Sequence, residues 1–497
     1  MSFFRCGLPI VVVATASLVP ACGGRVIAEH ESSYAWEDAG PDALGGSGGT
    51  ANTGGFGGMG GFGATGGSGA TGGFGGSAGT AGFGGTAGTG GTAGSAGNVQ
   101  DSGVISTNYD TAMEAETHLS AGTNGFVTVA WIGIGGTPYS TNGYVFSTDS
   151  GQTWGQVKSV SSPNGLVASD PVLAVDSHNN FYLTWVGFSD SSANPTNMGI
   201  YVSRAAAGTT DFAPPVLVSN AGPTVMMDKP WITITNTDAI LVTWMQVAAN
   251  GMNTLSQVAR SEDGTAWSII ETGSSNQGRN LYYPCAPVHG TRVWQTFVEY
   301  GWTTKIRLQW SDDDGKTWGA PVDVSKSSEM QAAFDDPTCV AEGDTVWVAY
   351  GLSNDPLSGE STNFQALKEL RIARSDDGGK TFAYYAAHDP AAGAVYLHPE
   401  IALQDDGTVA LSYYAGQQDE DPNGSLRLTR LLPGAATVEP SIVVHAPVTY
   451  LLARSDQRWL GDYTGITWKQ GKLHVAYADN NDGITHIGYA RITPAFP

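Results

Sequence analysis

Seven times along the chain, a polar or ionisable residue opens a run of alternating apolar residues that turns back on itself. The seven runs are Glu116–Trp131, Asp170–Trp185, Lys229–Trp244, Tyr283–Val298, Asp336–Tyr350, His398–Tyr413 and Asp462–Tyr477. Period-two alternation on both sides of a turn is the mark of an antiparallel strand pair. Successive runs end about 50–65 residues apart, which leaves room for two further strands and their loops. A unit of this size cannot bury both faces alone, so repeated units must stack. The pattern predicts an all-β chain: a β-propeller of seven four-stranded blades over residues 104–497, with six blades as the alternative.

A second signature lies between the strand pairs. Ser147, Asp149, Gly151, Thr153 and Trp154 follow the pattern S-x-D-x-G-x-T-[WF]. It returns at Ser311, Asp313, Gly315, Thr317 and Trp318, and again at Ser375, Asp377, Gly379, Thr381 and Phe382. A copy one residue shorter runs from Ser261 through Asp263 to Trp267. Such an aspartate can accept bonds from the turn's own N–H groups, the glycine takes a positive φ, and the aromatic ring packs back beneath the hairpin.

These four segments resemble Asp-boxes, the bacterial neuraminidase repeats of the sialidase-like superfamily, over roughly residues 110–495. The resemblance implies a β-propeller and a group that includes sialidases, xyloglucanases and sortilin-type receptors. It implies a fold and leaves the reaction open. Sialidases have six blades, bind a substrate carboxylate with three arginines, and place the first of these in an Arg-Ile-Pro motif. This chain has no Arg-Ile-Pro and no arginine between Arg25 and Arg204. His398-Pro399-Glu400 resembles the family's Glu-Pro strand start with the glutamate displaced. Gly461-Asp462-Tyr463-Thr464-Gly465, with Arg458 upstream, resembles its last-blade tyrosine segment. True sialidase chemistry is not expected.

Ahead of the repeats, residues 1–22 read as an export signal: Arg5, an apolar run from Leu8 to Val19, then Leu18-Val19-Pro20-Ala21-Cys22. The last segment resembles a bacterial lipoprotein box, which would make Cys22 the lipidated residue. The expected location is the outer membrane or cell surface, with secretion as the alternative. Residues 23–43 form a short polar segment. From Leu44 to Asn98 the chain is about half glycine, a composition that cannot bury enough surface to order itself. As a coil of about 55 residues it would reach roughly 40 Å, enough to hold a domain off a membrane.

Acidic residues outnumber basic ones 46 to 23, for a net charge of −23. Such a surface repels phosphate backbones and anionic headgroups, so no nucleic-acid partner is expected and membrane contact only through a lipid. A monomer is expected. Of the four cysteines, Cys285 and Cys339 fall on the inner strands of adjacent repeats. They point to opposite faces of their own sheets, and adjacent blades meet through opposite faces, so a disulfide between them is predicted.

The opening residues of the seven runs form a column: Glu116, Asp170, Lys229, Tyr283, Asp336, His398 and Asp462. In a propeller, the starts of the inner strands rim the central channel, so the column is the candidate site. Glu114, His118, Asp228, Arg279, Asp335, Glu400, Arg458 and Tyr463 lie near it in sequence. Carboxylates crowded around one axis repel unless a cation compensates them. Asp170, Asp336, Asp462 and Tyr463 are the candidate catalytic groups, since a glycosidase needs two carboxyl groups flanking the scissile bond. Glu116, Lys229, Arg279, Tyr283, His398, Glu400 and Arg458 are the candidate substrate-binding groups. Trp231, Trp302 and Trp459 offer sugar-stacking faces or, equally, blade packing. No cofactor is expected, although an acidic ring with histidines could hold Ca²⁺ or another divalent cation. Two functions follow: a propeller that recognises or hydrolyses extracellular carbohydrate, or a non-catalytic module that grips a protein or peptide.

Overall fold

The computed structural model describes residues 98–493 apart from 107–112, 135–139, 161–162, 164–165, 190–197, 221–224, 249–253, 276–280, 286–289, 300–304, 328–336, 353–367, 394, 418–420 and 452–456. Its 28 strands form seven antiparallel sheets of four, and no described residue is in an α-helix. The chain is a seven-bladed propeller. The inner strands are Met113–Ala121, Val167–Val175, Val225–Ile234, Leu281–Cys285, Thr338–Glu342, Val395–Leu403 and Gly465–Lys469, for blades one to seven.

Blades one to six are built from consecutive strands, inner to outer. Blade seven borrows its outer strand from the other end of the chain: Asn98–Val104 pairs with His486–Thr493, with Asn98 opposite Thr493. The propeller therefore starts before residue 104, the boundary drawn from the sequence. The closing strand, Asn-Val-Gln-Asp-Ser-Gly-Val, shows no apolar alternation. It is fixed by its partners instead. Asp101 accepts a 2.6 Å bond from Tyr477 Oη and lies 2.7 Å from His445 Nδ1, while His445 Nε2 stands 3.2 Å from Asp479.

The core sits between the blades. Trp131, Trp185, Trp244, Tyr350, Tyr413 and Tyr477, the aromatic ends of six repeats, are fully buried, as is Val298 in the remaining one. Aromatic side chains of this size carry much of the burial energy of a fold, each removing roughly 150–250 Å² from water.

In the turns between third and outer strands, Asp149 Oδ1 accepts from the N–H groups of Gln152 and Thr153 at 3.0 and 2.8 Å, and Oδ2 accepts from Thr153 Oγ1 at 2.6 Å. Asp313 and Asp377 repeat this arrangement. In the shorter copy, Thr265 supplies both its N–H and its hydroxyl to Asp263, and Ala266 N–H adds a third bond. These bonds hold Asp149 and Asp313 down to about 2. On the opposite side of the ring from the closing strand, Cys285 and Cys339 are joined by a disulfide with Cα atoms 5.8 Å apart, tying blade four to blade five.

Candidate functional site

Four inner strands carry the same irregularity. The ladder shifts register between Ala115 and His118, Ser169 and Val172, Asp228 and Trp231, and Leu397 and Glu400. Each bulge holds a non-glycine residue at positive φ: Glu116 at 47°, Asp170 at 53°, Lys229 at 47° and His398 at 50°. A proline follows three of them (Pro171, Pro230 and Pro399), and proline has no N–H to offer the ladder. Left-handed backbone at residues with a Cβ costs about 1–3 kcal/mol each and persists only where the surroundings enforce it. Four such residues at one register position make a designed feature rather than four accidents.

Three of the bulges, with the segment that leads into the inner strand of blade seven, deliver their side chains to one point. Lys229 Nζ stands 2.8 Å from Glu116 Oε1, 2.6 Å from Asp462 Oδ2 and 3.0 Å from Asp170 Oδ1. The first two contacts have hydrogen-bond geometry. The third does not: Asp170 Oδ1 is an ion-pair contact without a hydrogen bond. Glu116 is 0% exposed, Asp170 1%, Asp462 3% and Lys229 4%. Blades one, two, three and seven therefore meet through one ammonium.

The cation that compensates these carboxyl groups is the chain's own Lys229, which sits among them. Lysine is the side chain for this place because its long stem spans the axis while its head offers three donors.

The electrostatics follow from burial. Burial, then the neighbouring Asp170, hold the Glu116 carboxyl well above the usual carboxylate range despite Lys229. Burial alone would favour a neutral Lys229, but Asp170, Asp462 and Glu116 outweigh it and hold the ammonium well above the usual lysine range. Burial pushes His398 down to about 4 and His118 down to about 3, so both rings are neutral at pH 7. Tyr463 lies with its ring 5.4 Å from Lys229 Nζ, its hydroxyl donating to Pro171 O at 3.3 Å. Burial and the adjacent carboxyl groups hold its phenol well above the usual range.

Around the cluster, Trp231 packs its edge against His118, Tyr283 and Tyr463, and is 9% exposed. Trp459 is buried with Met113, Ala115, Ile132 and Ile134. Both are packing residues. Tyr283 is buried beside Trp231, and Glu400 is buried at the bulge of blade six. Arg458 lies over the ring of Tyr450 at 4.2 Å. Glu114 faces away from the lysine cluster, accepting from Ser106 Oγ and lying 3.4 Å from His486. Cys22, Arg279, Trp302, Asp335 and Asp336 lie outside the described residues. Among the described residues, no group of three or more His, Cys, Asp or Glu side chains is arranged to hold a metal ion.

What the sequence could not reveal was the backbone: positive φ at Glu116, Asp170, Lys229 and His398 has no sequence signature in residues that normally avoid it. Gly461 does leave a trace. It sits at φ 94°, and a Cβ there would lie 2.3 Å from Glu116 N, so only glycine lets blade seven approach blade one.

No protein-family model and no curated protein matches the sequence. Among solved structures, the chain is similar to a protein of unknown function from Dyadobacter fermentans, at 17% identity and TM-score 0.46, over 80% of this chain and 99% of that one. It is similar to a Hadza microbial sialidase at 12% identity and TM-score 0.49, over 79% of this chain and 68% of that one. It is similar also to an alpha-L-arabinofuranosidase from Fusarium graminearum at 14% identity and TM-score 0.43, over 79% and 97%. Likeness at this level concerns architecture and carries no residue-level chemistry.

Proposed function

We propose that the protein is an extracellular, lipid-tethered propeller of the sialidase-like Asp-box type that recognises neutral carbohydrate and does not hydrolyse it through its axial carboxyl groups. The observation that carries this reading is Lys229. Glu116, Asp170 and Asp462 are buried against its ammonium, so the groups best suited to acid and nucleophile roles are already engaged by the chain itself. A glycosidase keeps its carboxyl pair facing the scissile bond. Here they are buried around Lys229. The turn segments speak for the fold alone, and the carbohydrate class rests on the resemblance of His398-Pro399-Glu400 and Gly461-Asp462-Tyr463-Thr464-Gly465 to sialidase segments. Neutrality rests on charge: an acidic sugar meeting so acidic a chain, without the family's first arginine, would meet repulsion without a clamp.

The decisive experiment is a glycan-array screen of the exported full-length protein, paired with release of a fluorogenic aglycone from neutral and sialylated glycosides. Binding to neutral glycans without turnover is expected. Turnover that collapses in Asp170→Asn or Asp462→Asn would return these residues to catalysis. Binding of a protein or peptide with no glycan bound would assign the interaction role instead. The tether has its own test: wild type should partition with membranes and Cys22→Ala should not.

A further inference from the structure

The contact between Lys229 and Asp462 has the composition of an amide bond waiting to form. An ammonium and a carboxylate at 2.6 Å are ordinarily inert because water solvates both and hydrolysis is favoured. Neither condition holds here, since both groups are almost wholly buried. A third carboxyl group, Glu116, touches the same nitrogen at 2.8 Å. Its other oxygen, Oε2, is buried and has no hydrogen-bond partner, so it is available to lend and recover a proton.

We propose that Lys229 and Asp462 form an intramolecular isopeptide bond, with Glu116 as the proton relay, linking blade three to blade seven across the axis. The nitrogen first passes a proton to Asp462 Oδ2, 2.6 Å away, leaving a neutral amine and a carboxylic acid. Its lone pair attacks Asp462 Cγ, and Glu116 protonates the departing Oδ2, then recovers a proton from the nitrogen. Of the three ammonium hydrogens, one stays on the amide nitrogen. The other two leave with Oδ2 as one molecule of water. One positive and one negative charge disappear together, and no oxidant or reductant is needed.

Two features favour Asp462 over the other carboxyl groups. Its contact is the shortest of the three, and its backbone is pinned, since Gly461 packs against the backbone of Glu116. Asp170, at 3.0 Å without hydrogen-bond geometry, is worse aligned. On the other partner, Lys229 is fixed by its bulge at φ 47° and by its contact with the Tyr463 ring. Holding two reactants in this way is worth effective concentrations of about 10⁵–10⁸ M. The opposing factor is that the carboxyl groups hold the proton on Lys229. Deprotonation is therefore the slow step, and the bond should accumulate after folding.

The test is peptide mapping by mass spectrometry of the exported wild-type protein, digested under reducing conditions. The peptides containing Lys229 and Asp462 should be recovered joined, at a mass one water below their sum. Recovery of both as separate, unmodified peptides from folded protein, fresh and aged, overturns the proposal. A junction to Glu116 or Asp170 overturns the assignment to Asp462. Glu116→Gln keeps the shape of the relay but removes its acid, so bond formation should slow by roughly 10²-fold or more. Unchanged formation in that variant removes Glu116 from the mechanism. None of these outcomes depends on whether the protein binds carbohydrate.

Discussion

The two sides of the ring are held in different ways. Blades one, two, three and seven meet at the axis through one buried lysine and the three carboxyl groups around it, Glu116, Asp170 and Asp462. Blades four and five are joined by the disulfide between Cys285 and Cys339. Blade four supplies only Tyr283 to the column among its described residues, and that side chain is part of the aromatic packing around Trp231. A buried ion cluster gives direction and register but costs desolvation, whereas a covalent bond acts chiefly on the unfolded chain. The two should therefore fail under different conditions.

The largest effect is expected at the axis. Lys229→Met leaves three carboxyl groups buried without their cation, and breaking a buried ion cluster from one side typically costs about 3–5 kcal/mol. Chemical denaturation should show that loss, with much of it recovered when Asp170→Asn and Asp462→Asn are added. A Lys229→Met protein as stable as wild type would make the cluster ornamental.

Next comes the opposite side. Cys285 and Cys339 are separated by 54 residues, and opening a loop of that size by Cys285→Ala with Cys339→Ala should cost about 2–4 kcal/mol. Reductant should do the same to wild type and nothing to the double variant. If reductant were to destabilise both alike, the disulfide would not be the relevant bond.

How much of this contrast the sequence carried depends on the physics behind each part. Strand alternation and turn chemistry are local, so the seven repeats and the turn aspartates Asp149, Asp263, Asp313 and Asp377 were legible directly. The cysteine pairing was legible because strand parity is a counting argument. The column of Glu116, Asp170, Lys229, His398 and Asp462 was legible as a column. Its closure was not, because side-chain reach across an axis and left-handed φ at a charged residue are set by tertiary packing. The outer strand Asn98–Val104 was missed for a related reason: its stability comes from Asp101, His445 and Tyr477, which are far apart in sequence.

A smaller effect distinguishes the axis from the closing strand through pH. His398 titrates near 4 in the folded protein, below its ordinary 6.5, so its neutral form is favoured by folding. Its contribution is present above pH 6.5 and is lost as pH falls toward 4, when the unfolded chain takes up the proton. His445 behaves oppositely. Held at about 9 by Asp101 and Asp479 against the cost of burial, it contributes stability below pH 6.5 that is lost as pH rises through 9. Glu116, whose carboxyl burial and Asp170 hold well above the usual carboxylate range, loses ground as pH rises, so total stability mixes these trends. The difference curves separate them. Wild type minus His398→Gln should shrink on acidification by on the order of 1–3 kcal/mol, and wild type minus His445→Gln should shrink as pH rises from 6.5 through 9. Flat difference curves would mean that neither ring is in the environment described.

The smallest effect belongs to the turns, which serve neither axis nor closure. Asp149 accepts bonds from Gln152, Thr153 and Ser147 at a partly exposed hairpin, where solvent can replace much of what the carboxylate provides. Asp149→Ala should therefore cost only about 1 kcal/mol, the usual net worth of a hydrogen-bonded turn exchanged with water. The loss should also fade in acid: the folded carboxyl is held down to about 2, so its contribution is present above the ordinary aspartate range and disappears as pH falls through 2. Denaturation of wild type and Asp149→Ala at pH 7 and in strong acid would measure it. A loss as large as that of Lys229→Met would show that the turn anchors its blade, since Trp154 beside it packs on Tyr489 of blade seven. In that case the division between a charge-held side and a disulfide-held side would need a third element: the seam between blades one and seven, closed at the axis by Gly461 and at the rim by this turn.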